Sequence, residues 1–266
     1  MPTVYALVAA VGAQFTAVHE VVHVGSHLSP YRRDFLEAPD NVLNKLVLHS
    51  LDGAIAKVDP QSKRVYLAVA TPRPRSETYS METAALETVV AELRPMPERA
   101  QWDRVVVATP AYRVGAGDAL PGRLQGLGIV TQGLCQGQLA YCDSGTVPAI
   151  AGQAAVTPGG KPITATRYVA PYMSIKVSIL DAKTLEVIES HDVFQHEKIY
   201  DPTSKTMDMN ESISKRVLAT RIVELVEHAT REAVMASQLR GTVEVRGGLP
   251  PRGQDSMPGE VKDAPK

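Results

Sequence analysis

The chain has 266 residues, 44% hydrophobic and 21% charged, with a net charge of −1 at pH 7. That is enough apolar material for a sizeable core. The balanced charge excludes a global basic field for nucleic acid and a polybasic membrane face, and one Trp with three Phe argues against a surface built to stack bases.

The first fifteen residues have an apolar centre and small residues. No Lys or Arg precedes the apolar run, so the segment reads as a strand rather than a signal peptide. The start at Met1-Pro2 fits either a native N-terminus or a mature sequence from which an export leader has been removed. No apolar run approaches the roughly 20 residues that cross a bilayer. Residues 4–11 predict a buried strand and residues 15–24 a second one, with Gly12-Ala13-Gln14 as the turn of an opening hairpin. Residues 25–39 are punctuated by Gly25, Ser26, Ser29, Pro30 and Pro39 and read as loop.

A helix is predicted from Asp40 or Asn41, either of which can cap it, to about Lys57. Its apolar stripe is Val42, Leu43, Leu46, Val47, Leu51, Ile55 and Val58. Asp59-Pro60 ends it. Residues 64–70 form the next strand. Residues 80–93 form a second helix, with Met81, Ala85, Leu86, Val89, Val90 and Leu93 on one face and Pro95 and Pro97 beyond its end. Residues 104–108 are a strand again. Helix, strand, helix, strand in succession favours a parallel pair with a crossover.

Residues 126–131 read as a short strand. Residues 133–165, rich in Gly, Pro and Gln, lack the apolar periodicity of a core and read as a surface insertion. Gly159-Gly160 fits a hairpin turn inside it. Residues 167–180 are the longest strand candidate, because Ile175, Val177 and Ile179 alternate with Lys176 and Ser178, one face dry and one wetter. Asp181-Ala-Lys-Thr turns the chain into a return strand, giving an antiparallel hairpin over about 167–195. Asp208 and Glu211 have capping-box spacing ahead of a long helix to about residue 239. Its predicted buried face is Ile213, Val217, Leu218, Ile222, Leu225, Val226, Ala229 and Ala233, and its other face carries mixed charge. The expected fold is therefore α/β: a mixed sheet with a parallel βαβ core, an antiparallel hairpin and a long C-terminal helix. It forms one domain over residues 1–241, with a disordered tail over 242–266.

The most promising functional stretch follows Val107, where an apolar strand opens into the Gly-rich loop 110–128. An α/β sheet presents its site at this edge. Tyr112, Arg113, Asp118, Arg123 and Gln125 are the candidate ligand-binding residues. The two arginines can hold an anion, and Asp118 can act as a base or metal ligand. The loop matches neither a dinucleotide fingerprint nor a P-loop, and the chain has no G-x-S-x-G.

His19, His23 and His27 are spaced four apart. A strand would hold successive members about 13 Å apart, too far to share an ion, so no metal is expected there. His191, Asp192, His196 and Glu197 read as a solvated strand end. Cys135 and Cys142, the chain's two cysteines, lie too far apart for a CxxC motif and suit a disulfide in an oxidising compartment. No cofactor is expected. The resulting expectation is an exported, periplasmic or secreted, non-catalytic binding protein with a protein or envelope partner. A hydrolase or phosphate-ester enzyme, or a small-anion-binding protein, using the 110–128 loop is the competing reading.

Overall fold

A computed structural model describes residues 2–20, 31–71, 80–113, 124–133, 167–199, 213–237 and 239. Tyr5 to Ala10 is an uninterrupted buried run, and a strand of that kind has to be covered on both faces. Strand β1 (Val4–Ala9) accordingly takes an interior place in the sheet. It lies between β4 (Lys63–Ala68) and β5 (Arg104–Pro110), parallel to both. Helix α1 (Val42–Val58) covers one face, packing Leu43, Val47, Leu51 and Ile55 with Leu7 and Ala9 of β1. Helix α2 (Ser80–Leu93) covers the other, packing Val89 and Leu93 with Ala6, Val8, Val105 and Val107. This is the parallel α/β core.

A second wing holds β2 (Gln14–Glu20), β3 (Tyr31–Glu37) and β7 (Leu124–Gly133). β2 is parallel to β7 and antiparallel to β3. The two wings meet on β8 (Arg167–Asp181), the longest strand. Its first half pairs with β7 and its second half with β5, along the same edge. β9 (Val187–His196) runs antiparallel along the opposite edge. The two-residue β6 (Tyr112–Arg113) pairs with the start of β7. Among the described residues this makes a nine-stranded sheet whose main path of seven strands is β3-β2-β7-β8-β5-β1-β4, with β6 on β7 and β9 on β8 off that path. Helix α3 (Lys215–Ala236) joins α1 on its face of the sheet, burying Val226, Ala229, Ala233 and Val234 against Met173, Ile175, Val177 and Ile179.

The α/β class, the mixed sheet, the antiparallel hairpin and the long C-terminal helix are as the sequence predicts. Five local expectations are corrected. β1 and β2 form no hairpin: β1, apolar on both faces, stays inside the parallel wing, while β2 crosses into the other. Residues 31–37, read as loop, are strand β3; its charged sequence suits an edge position, where charge discourages further pairing. β4 and β5 are parallel but not neighbours, because β1 lies between them. Neither Asp40 nor Asn41 caps α1 with its side chain. Both have left-handed backbones, φ 56° and 57°, within a 3₁₀ turn, and Val42 is left exposed. At α3 the cap is Ser214, whose Oγ accepts the Val217 N–H at 3.2 Å, so the helix starts later than predicted and Val217 is exposed. Asp208, Glu211, Gly159 and Gly160 lie outside the described residues.

Candidate functional site at the carboxyl edge

β1, β4 and β5 end together, with α1 and α2 on opposite faces. In an open α/β sheet that point is the ligand crevice. Here the chain does not stop at the edge. Among the described residues it leaves the parallel wing for the second wing at two places, from β1 to β2 through Val11 and Gly12, and from β5 to β6 through Ala111. A crossing takes a backbone N–H away from its ladder, and a buried N–H needs another acceptor.

At the first crossing the Ala10 N–H still donates to the Ala108 carbonyl at 2.9 Å. The next donor, the Val11 N–H, turns to Asn44 Oδ1 at 2.9 Å. Asn44 stands in the first turn of α1 and is fully buried. Its amide also donates to the Val69 carbonyl, just past β4, at 3.4 Å. Gly12 then bends the chain with φ 86°, a conformation glycine adopts without steric cost.

At the second crossing the Ala111 N–H still donates to the Ser174 carbonyl at 2.9 Å. The Tyr112 N–H turns to a carboxylate oxygen of Glu82. Glu82 stands in the first turn of α2 and is 7% exposed. Its second oxygen accepts from Lys176 Nζ at 3.0 Å, and Asp192 Oδ1 lies 3.4 Å from the same ammonium. Lys176 is on β8 between Ser174 and Ser178, which are both buried, and Ser178 Oγ is 2.9 Å from Ser190 Oγ. Burial alone would lower the Lys176 pKa. The hydrogen bond and charge of Glu82, with those of Asp192, outweigh it and hold the ammonium above the ordinary lysine range. Serine–lysine catalysis needs a neutral amine as base, so this cluster has the residue types of a dyad without its protonation state.

The structure brings Tyr112, Arg113 and Gln125 together in the β6–β7 ladder, Tyr112 opposite Gln125. Each is half-buried. The Arg113 guanidinium carbon sits 3.9 Å from the Phe194 ring centroid, a cation–π contact. Phe194 in turn stacks on Tyr172, with 6.4 Å between centroids. Asp118, Arg123, Cys135 and Cys142 lie outside the described residues.

The 191–197 cluster does not act as a unit, because strand pleating divides it. His191 lies 3.4 Å from Glu189. Asp192 and His196 point to the opposite face, toward Lys176 and Phe194 respectively. His19 is on β2, 3.9 Å from Asp34, and His23 and His27 lie outside the described residues. Among the described residues no three His, Cys, Asp or Glu side chains are grouped to hold a metal ion.

Asn44, Glu82 and Lys176 were not among the candidates read from the sequence. Their signal is a polar residue set into an apolar pattern. Asn44 lies between Leu43 and Val47, Glu82 falls on the turn before Ala85 and Val89, and Lys176 lies between Ile175 and Val177.

No protein-family model matches the chain, and no curated protein matches it. Among solved structures it is similar to a DUF330 protein from Xanthomonas campestris, at 9% identity and TM-score 0.33, covering 87% of this chain and 83% of the other. It is also similar to a neuraminyllactose-binding hemagglutinin homologue from Helicobacter pylori, at 8% identity and TM-score 0.34, covering 90% and 87%. A third likeness is to a lipoprotein from Neisseria meningitidis, at 10% identity and TM-score 0.26, covering 85% and 97%. At these TM-scores the likenesses carry no argument about fold or function.

Proposed function

We propose that the protein is an exported, non-catalytic binding or accessory protein that acts through a protein or envelope partner. The observation that carries this reading is the state of the carboxyl edge. Asn44 and Glu82 are spent on the backbone donors of the two crossings, where an α/β enzyme leaves polar groups for a substrate. Lys176, beside Glu82, has its pKa raised by its carboxylate partners, which argues against its use as a general base. Binding through an outer surface is what remains open to such a molecule. Export is supported by the sequence alone, through the Cys135 and Cys142 pair and its Gly/Gln-rich setting.

Intact mass of the protein from its own source, with and without reduction before alkylation, tests the export half. A Cys135–Cys142 bond, seen as two alkylations gained only after reduction, is the expected result. Two thiols alkylated without reduction would overturn it. The binding half is tested against the competing reading, an enzyme using Arg113, Asp118 and Arg123. Turnover of a phosphate ester that is abolished in Asp118→Ala at unchanged melting temperature would replace the proposal.

A further inference from the structure

We infer that Glu82 and Lys176 form a latch that fastens the first turn of α2 to the corner where the chain leaves β5 for β6. The backbone requires an acceptor at that corner. β5 pairs with β8 as far as Pro110, and the Ala111 N–H still reaches the Ser174 carbonyl. At Tyr112 and Arg113 the chain pairs with β7 instead. The Tyr112 N–H falls between the two ladders, and Glu82 takes it.

Glu82 is a costly choice of acceptor unless its charge is matched, because a buried carboxylate left alone is strongly disfavoured. Lys176 supplies the match at 3.0 Å from a strand on which its neighbours on the same face, Ser174 and Ser178, are buried. Asp192, largely exposed, adds a second carboxylate at 3.4 Å from β9. One ion pair therefore ties together the start of α2, the β5–β6 corner and the hairpin β8–β9. The corresponding acceptor at the other crossing, Asn44, is neutral and needs no counter-charge. Order at the corner before Arg113 thus depends on a charge 94 residues away from Glu82 in sequence, whereas order at Val11 does not. This dependence is independent of which partner the protein binds.

The test is hydrogen exchange on the full chain, read at the Tyr112 amide against the Val106 and Val107 amides in the interior of β5. In Glu82→Ala, Tyr112 is expected to exchange about tenfold faster or more, the loss of a hydrogen bond to a charged group, with Val106 and Val107 unchanged. Lys176→Met is expected to move Tyr112 in the same direction. The double variant Glu82→Gln with Lys176→Met keeps an acceptor and removes both charges, so its urea midpoint should exceed that of Lys176→Met alone. Unchanged exchange at Tyr112, or equal acceleration at Tyr112 and Val107, would overturn the latch. So would a double variant that unfolds as readily as Lys176→Met, and that comparison decides the matter if Glu82→Ala does not fold.

Discussion

Asn44 is a single polar side chain whose acceptor atom serves a buried donor 33 residues earlier in the chain. Replacing it by leucine keeps the bulk and leaves the Val11 N–H without that acceptor. Asn44→Leu is expected to lower stability by about 1–3 kcal/mol, measured as a shift in urea midpoint at unchanged slope. Two glycines make a sharper pair. A Cβ on Gly128 would fall inside contact distance of the Thr16 carbonyl oxygen and the Tyr172 ring, whereas one on Gly53, mid-helix in α1, would meet nothing. Gly128→Ala should therefore cost about 1–3 kcal/mol through forced backbone movement. Gly53→Ala should gain about 0.5–1 kcal/mol. Lys176 gives a pH dependence. Its pKa is raised in the folded protein, so its contribution is present below the ordinary lysine value and is lost as pH climbs through the raised one. Urea midpoints across the alkaline range should fall more steeply for the parent than for Lys176→Met. At this scale the sequence is legible where a residue obeys its local pattern, as Leu51 and Val89 do. It is opaque for Asn44 and Glu82, whose partners lie 33 and 30 residues away in sequence.

The elements divide in the same way. α2 is read to its end residues, and the β8–β9 hairpin is read with its turn. Asp181 Oδ1 accepts the Lys183 and Thr184 N–H groups at 2.9 and 3.0 Å, and those bonds hold its carboxyl below the usual aspartate range. Both are local constructions, so short-range pattern suffices. β3 is missed because strand patterns are usually recognised by alternation, and Tyr31–Glu37 is an edge strand with charge and apolar residues exposed together, Phe35 and Leu36 among them. The α3 stripe is read with the right period but carried too far toward its N-terminus. The first turns extend past the core, so Val217 is 46% exposed while Leu225, two turns on, is 8% exposed. Leu225→Ala should cost about 2–5 kcal/mol, and Val217→Ala should stay within about 0.5 kcal/mol of the parent. Equal costs in denaturant titration would mean that the first turns are buried after all.

For the whole molecule, the class follows from element order, but the two-wing arrangement does not. It depends on β8 being long enough, at 15 residues, to carry one wing on each half of an edge, and on two side-chain acceptors that let the chain cross between them. The same two acceptors are engaged by backbone donors at the carboxyl edge, and that engagement is the observation behind the proposed binding role. Native purification of the full chain from its own source, with a hydrolase panel run on the same fractions, tests this most directly. A protein or envelope component that stays with the chain in constant proportion, no turnover, and unchanged retention in Asp118→Ala is the expected result. A chain that purifies alone and hydrolyses a phosphate ester, with activity lost in Asp118→Ala at unchanged melting temperature, would contradict it.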